Sequence, residues 1–317
     1  MTGPPTEDPP SAAVVPVRVS VVVSCYRAES HLRAFLESIA DQSALDRLEL
    51  VLVHNEPSEP ELALVREFAA EHPGKLRHVI VETVEPWSLS MNRGIRAAVG
   101  EYVCVGNVDD LRTPDALERQ VRALDEDPDA LVSFGDFVRV AAPGSTEGPL
   151  ASMPEFDRED FVRFYRCGPF PMWRRAVHEQ VGYFDEQLRS AGDFDLMARM
   201  ALAGGMVHVG GPLGYYLDMG QGLSNKGDLP HIERTVVELR YGTFDFVDLR
   251  YLRTARRYDI GRLLQDGVWC EVERFVPGYR QRINRRRPLW AIGVLRNAAR
   301  WVFRITGPRL GVPRRYR

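Results

Sequence analysis

Residues 18–53, RVSVVVSCYRAESHLRAFLESIADQSALDRLELVLV, decide the fold. Residues 18–25 are a continuous β-branched run, the pattern of a strand buried on both faces of a parallel sheet. Ser30 then stands where a helix cap belongs, and Leu32, Phe35, Leu36 and Ile39 follow at i, i+3, i+4 and i+7 on one face. Residues 48–53 (LELVLV) form the second strand. Working outward, the same alternation predicts a helix over 59–71, a strand over 76–81, a helix over 88–98 and a strand over 102–106. Thr113 and Pro114 supply a cap and a first-turn proline for a helix running to about residue 125. Strands alternating with helices imply βαβ units and a mostly parallel sheet. Ligands of such sheets bind outside the carboxyl ends of the strands. Function is therefore sought in residues 24–27, 54–58 and 107–110.

Composition narrows the classes. The chain has 317 residues, is 44% apolar and 27% charged, and so belongs with globular proteins. Its net charge of −3 hides an asymmetry: residues 250–317 hold 18 arginines, no lysine and four acids, a net of +14, which leaves −17 on the rest. The cysteines (Cys25, Cys104, Cys167, Cys270) are dispersed without a CxxC pair. They read as reduced, mostly buried thiols of a cytoplasmic protein, neither a disulfide nor a zinc framework. Residues 1–17 carry five prolines and no basic residue, and read as a disordered segment instead of a secretory signal. Residues 200–217 are uncharged over 18 positions but include Pro212 and five glycines, and read as a helix end, a strand and a turn. The turn after the first strand lacks G-x-G-x-x-G and no G-x-x-x-x-G-K-[ST] occurs, so dinucleotide and P-loop enzymes are disfavoured.

Two constellations carry chemistry. Residues 106–115 (GNVDDLRTPD) place an amide and two adjacent carboxylates after an apolar strand. Hard divalent ions take oxygen ligands, and Mg²⁺ commonly uses one or two carboxylates plus substrate phosphates. The same acids also suit a polar turn with helix-capping side chains. Residues 182–199 (GYFDEQLRSAGDFDLMAR) put Asp193 and Asp195 at the start of an amphipathic helix. Carboxylates are favoured there by the helix dipole, and Asp193 also suits a general base for an acceptor hydroxyl.

Taken in order, these stretches resemble the family 2 glycosyltransferases of the GT-A fold. The family's V-S-V-V-[IV]-x-x-Y-N appears as residues 19–27 (VSVVVSCYR), and its D-D-G-S strand end as residues 54–58 (HNEPS). A-R-N-x-G-I-x-x-A-x-G-E-Y appears as residues 90–102 (SMNRGIRAAVGEY), and the D-x-D-D metal motif as Asn107-Val108-Asp109-Asp110. G-x-F-D-E followed by [EG]-D-[YFW]-[DE] matches residues 182–186 and 192–195. The resemblance implies an α/β GT-A fold and inverting, metal-dependent transfer from a nucleotide-sugar donor to a glycan or lipid-linked acceptor, as in cell-envelope polysaccharide biosynthesis. It implies that Ser24, Tyr26 and Glu56 line the nucleoside pocket, with Asn92 beside it. It further implies that Asp109 holds a divalent ion (Mg²⁺ or Mn²⁺), with Asp110 and Asn107 in support. Asp193 would deprotonate the acceptor.

The departures are Asn107 for the first metal-motif Asp, Asn55 and Glu56 for the acids of D-D-G-S, and Met91 for the Arg of A-R-N. The histidine of Y-R-x-H is also missing, with Asp218 the nearest oxygen substitute. WSLSMNRGI, NVDD and MWRRAVHE resemble a subgroup with the Asn variant. These losses motivate an alternative, a non-catalytic GT-A scaffold that binds a sugar-nucleotide or a partner transferase. A nucleotidyltransferase is a more distant reading. Trp173, Arg174 and Arg175 read as an acceptor or phosphate loop or as a structural corner, His178 as structural, and residues 221–226 as a plain loop or a lid bringing Lys226 to the phosphates.

The expected organisation is a disordered segment (1–17), a GT-A domain (18–225) and a helical basic extension (226–317). Residues 229–275 read as helical, and residues 288–305 as a helix with an Arg296, Arg300 and Arg304 stripe beside Trp290 and Trp301. That helix suits an anionic membrane face, placing a cytoplasmic enzyme peripherally at the inner surface; packing on the core is the other reading. Nucleic acid is disfavoured, because no recognised module accompanies the arginines.

Overall fold

The computed structural model describes residues 16–220, 227–244 and 247–285. Strands β1 (Val19–Cys25), β2 (Leu48–Asn55), β3 (Leu76–Val81) and β4 (Tyr102–Gly106) alternate with helices α1 (Glu29–Ala40), α2 (Glu59–Glu71) and α3 (Trp87–Ala97). All pairings among these four strands are parallel, in the spatial order β3-β2-β1-β4. The continuous apolar runs are explained by two cores. Val19, Val21 and Val23 pack with Leu48, Leu50 and Leu52 under α1 and α2, whereas Val22, Val51 and Val103 enter the core under α3 on the other face. Helix α3 lies close to the sheet because Gly94 has no side chain: a Cβ there would fall 2.4 Å from Val22 Cγ1.

Beyond β4 the sheet changes character. The chain continues through β5 (Leu111–Arg112), α4 (Ala116–Glu126), β6 (Ala130–Val140), β7 (Leu150–Ala151), α5 (Arg158–Arg163), β8 (Met172–Arg174), α6 (Val177–Val181), α7 (Gly192–Ala203) and β9 (Gly205–Leu217). Antiparallel β8 lies between β4 and β6, and β9 runs parallel to β6. The β6–β9 register jumps between Gly135↔Val209 and Asp136↔Pro212, so Gly210 and Gly211 bulge out and the strand accommodates a proline. The mixed α/β architecture, with a mostly parallel sheet flanked by helices, is the fold class expected from the sequence.

Several local expectations are corrected. Helix α1 begins at Glu29, so Ser30 lies inside it and caps nothing. Helix α4 begins at Ala116, after Thr113 and Pro114. The reading of 229–275 as helical holds for α8 (Leu229–Tyr241), α9 (Leu249–Ala255) and the short α10 (Val272–Phe275). Between them β10 (Arg262–Gln265) and β11 (Val268–Glu271) form an antiparallel hairpin. Its turn, Asp266-Gly267, has positive φ at both positions (52° and 73°), as a two-residue hairpin loop requires.

The boundary proposed at residue 225 does not divide the core: Val236, Val237, Tyr241, Leu263, Val272 and Phe275 share one cluster with α3 and α7. Among the described residues no helix is long and apolar enough to cross a membrane. The readings of 1–15, 221–226 (with Lys226) and 288–305 fall outside the described residues.

Candidate active site

The carboxyl ends of β1, β2 and β4 meet at one edge. The register pairs Val23 with Gly106 and Ser24 with Val53, which sets Ser24 beside Asn107 on one side and near Asn55 on the other. Asn55 Nδ2 donates to Ser24 Oγ (3.4 Å) and Ser90 Oγ (3.1 Å), while its Oδ1 accepts from the Glu85 amide (3.1 Å). Tyr26 is 38% exposed beyond the strand end, and the Arg27 guanidinium sits 5.0 Å from its ring centroid. Glu56 is exposed and has a φ of 44°. That left-handed conformation is one that glycine adopts most easily.

The segment after β4 divides labour among three side chains. Asp110 is buried: its Oδ1 accepts from the Leu217 amide (2.9 Å) and its Oδ2 from Asn107 Nδ2 (2.9 Å). Burial, followed by the adjacent Asp109 charge, pushes its carboxyl up to about 7. Asp110 is thus an anchor between the β4 turn and β9. Asn107 is exposed, and committing its Nδ2 to Asp110 leaves its amide oxygen free. Asp109 is exposed and makes no hydrogen bond or ion pair among the described residues.

Asn92 faces inward as well. It is fully buried, Nδ2 donating to Phe184 O (3.0 Å) and Glu186 Oε1 (3.0 Å), and Oδ1 accepting from the Phe184 amide (2.9 Å). It stitches α3 to the loop that leads into α7. Ser88 Oγ, donating to Leu188 O (2.5 Å), adds a second stitch.

That loop delivers Asp193 in the first turn of α7. Asp193 is half-buried, and its Oδ1 accepts from the Phe194 amide (2.7 Å). Burial pushes its carboxyl up to about 6, and the nearby Glu233 charge adds to the rise. Glu233, on α8, is a partner that sequence reasoning missed. Fully buried, its carboxylate accepts from the amides of Arg189, Ser190 and Ala191 at 2.7–3.0 Å and thereby fixes the approach to Asp193. The Tyr165 hydroxyl is pushed well above its ordinary value, by burial first and then by Asp193, Cys167 and Tyr216. Tyr216 precedes Leu217, the residue held by Asp110, so Tyr165 lies near both Asp193 and the end of β9.

Asp195, two residues on, has a different role. It is fully buried between Arg199 (2.8 Å), Arg240 (2.7 Å) and the Tyr241 hydroxyl (2.9 Å), and Arg240 also meets Asp185 (2.8 Å). Burial alone would raise its carboxyl, but Arg199 and Arg240 hold it below the usual range. Residues 173–175 form a structural corner. Trp173 is fully buried and donates to His178 Nε2 (2.8 Å), Arg174 to the carbonyls of Ala130 and Leu124, and Arg175 to Gly100 O. His178 is structural as expected. Asp218 lies exposed 4.0 Å from Arg139.

The profile of glycosyl transferase family 2 matches residues 20–182. The chain belongs to glycosyl transferase family 2. Among its relatives, y4gI of Sinorhizobium fredii, an uncharacterized protein, is 30% identical over 183 residues, covering 57% of this chain. The chain spans only 20% of y4gI's length. The succinoglycan biosynthesis protein ExoO of Rhizobium meliloti is 26% identical, covering 72% of this chain and 68% of ExoO. Two solved family-fold structures superpose well. S. aureus TarS 1–349 in complex with UDP gives a TM-score of 0.58 at 18% identity, covering 77% of this chain and 73% of that one. The mannosyltransferase PcManGT of Pyrobaculum calidifontis, in complex with GDP-Man and Mn²⁺, gives 0.52 at 18%, covering 96% and 84%. The GT-A fold of this family 2 chain follows; the Asn variant of the metal motif remains a feature of its own sequence.

Proposed function

We propose that the protein transfers a sugar from a nucleoside diphosphate donor to a hydroxyl of a glycan or lipid-linked acceptor, by single displacement with inversion. The observation that carries this reading is the contrast between Asp193 and Asp195. One α7 carboxylate is neutralised inside the core, while the other is left without a cationic partner and pushed up to about 6. A base poised below neutral pH, yet more basic than an ordinary carboxylate, is suited to taking a hydroxyl proton. UDP and GDP-Man in TarS and PcManGT, and the polysaccharide role in ExoO's name, support the substrate classes.

The residues present fit a hard divalent ion. The free Asn107 oxygen and the unpartnered Asp109 carboxylate are two oxygen donors at the strand edge, and Mg²⁺ or Mn²⁺ with donor phosphates needs few protein ligands. Mn²⁺ in PcManGT supports the same reading. Such an ion would neutralise charge on the departing diphosphate. Asp110 orients the turn, Ser24, Tyr26 and Glu56 border the nucleoside side, and Asp193 takes the acceptor proton. We assign the transfer site to residues 18–225, with α8 to α10 completing its core.

The test is nucleoside diphosphate release from a panel of UDP- and GDP-sugars with Mn²⁺ or Mg²⁺. The expected result is ion-dependent release that Asp193→Asn abolishes while UDP binding persists. Donor binding without release under any condition would overturn catalysis in favour of a sugar-nucleotide scaffold.

A further inference from the structure

Behind the strand edge lies a cluster that the transfer reaction does not use. We propose that Cys25, His54 and Glu61 form a second metal site, structural and selective for a zinc-like ion. Cys25 and His54 are directly paired neighbours at the ends of β1 and β2, and Glu61 reaches them from the first turn of α2. Their exposures are 0%, 0% and 1%, and their ligand atoms all lie within 4.8 Å of one another.

His54 has a buried ring nitrogen left over for a ligand. Its Nδ1 lies 3.2 Å from His78 Nε2 and its Nε2 3.4 Å from Glu61 Oε2, yet Nε2 has no hydrogen-bond partner. Glu61 is already served by two backbone donors, Ala28 N on Oε1 (2.6 Å) and Ser58 N on Oε2 (2.9 Å). It therefore stands as a carboxylate facing a buried imidazole nitrogen. With the His54 proton on Nδ1, donated to His78, Nε2 keeps a lone pair 3.4 Å from the Glu61 carboxylate, and Cys25 Sγ is the third donor of the cluster. Metal-bound histidines commonly have this arrangement, donating the other ring N–H to an outer partner.

Ligand chemistry selects the ion. Thiolate, imidazole and carboxylate suit Zn²⁺ and disfavour Mg²⁺ or Ca²⁺, which take oxygen. In a tetrahedral zinc site the N···O edge is about 3.3 Å, close to the 3.4 Å between His54 Nε2 and Glu61 Oε2. Charge also closes: Zn²⁺ displaces the Cys25 thiol proton to solvent and forms a Zn–S bond, and thiolate plus carboxylate balance the ion. A water or the second Glu61 oxygen completes four-coordination. The site would clamp β1, β2 and α2 together beneath Ser24 and Asn55. Its softness separates it from the all-oxygen Asn107–Asp109 edge.

The test uses the full-length protein loaded with Zn²⁺ or Co²⁺. Elemental analysis is expected to find about one zinc per chain, X-ray absorption at the zinc edge one sulfur among the ligands, and Co²⁺ a thiolate charge-transfer band. Cys25→Ser should lose the band and weaken Co²⁺ binding at least tenfold, whereas Asp109→Ala should leave the band unchanged. Absence of zinc uptake, a ligand set of nitrogen and oxygen alone, or a band that survives Cys25→Ser would each overturn the proposal. In that outcome Cys25, His54 and Glu61 are a hydrogen-bonded core cluster. Because the zinc-edge spectrum is taken on the unsubstituted protein, the result does not depend on the variant folding.

Discussion

Replacing Asp193 by Asn should make the protein inactive and more stable at once. Burial pushes the Asp193 carboxyl from 3.8 up to about 6, so the folded protein holds the charged form at a cost. The raised value means that the folded state binds the proton more tightly than the unfolded chain. Its stabilising effect is complete below about pH 4 and is lost as the pH rises through 6. A shift of about two units corresponds to about 3 kcal/mol. Solvent screening of a half-buried group reduces this to about 1–2 kcal/mol. The Asn side chain keeps the oxygen that accepts from the Phe194 amide, so only the charge is removed. Urea unfolding at pH 8 should therefore find Asp193→Asn more stable by about 1–2 kcal/mol, with the difference shrinking below about 1 kcal/mol at pH 4. In the parent protein, kcat/KM for transfer should fall tenfold per pH unit below about 6 and level off above it, since the base must be ionised. Equal stability of the two proteins at pH 8, or an acid limb at the ordinary carboxylate value, would refute the burial argument.

Other substitutions test the surrounding design. Glu233→Gln removes a charge that helps raise Asp193, so the acid limb should move below 6 while the fold loses about 1–3 kcal/mol of hydrogen bonding to the loop amides. A pH profile read beside urea unfolding checks both. Asp109→Ala should leave the fold intact and abolish any Mn²⁺ enhancement of UDP affinity in a calorimetric titration; an undiminished enhancement would move the ion elsewhere. Arg240→Met leaves Asp185 and half of Asp195 uncompensated in the core, for an expected loss of about 3–5 kcal/mol by urea unfolding. Gly94→Ala drives a methyl to within 2.4 Å of Val22 Cγ1 and should cost about 1–3 kcal/mol, read as a lower Tm.

The first half of the fold was legible because each local signal agreed with its neighbours. The strands over 76–81 and 102–106 and the helix over 59–71 have the bounds that periodicity predicts. The second half depends on pairings that no local pattern announces. Strand β8 contributes only three residues, and it is placed by β4 and β6 on either side. The β10–β11 hairpin did leave a signal, Asp266-Gly267 between the runs RLLQ and VWCE, inside a stretch whose composition otherwise suits a helix.

At the site, Asp109 and Asp193 stood out by residue type and position. Their supports did not. Asn55, Glu85 and Glu233 are ordinary polar residues whose roles arise only when elements 30 to 44 residues apart come together. Asn92 and Asp110 belong to motifs but face inward, and burial cannot be read from a motif alone. The positive φ of Glu56 is likewise invisible until the backbone is seen.

The buried salt-bridge network around Asp195 also separates what can be recognised from what can fold. The family profile ends at residue 182 and the motif resemblance at about 225, yet Arg240 and Glu233 lie beyond both. A chain stopped at 225 would keep every diagnostic residue and lose both the cation that neutralises Asp195 and the carboxylate that holds the Asp193 loop. The smallest folding unit of this family 2 chain is therefore longer than its signature. Recombination that respects the signature alone would yield a chain with the right letters and an uncompensated charge in its core.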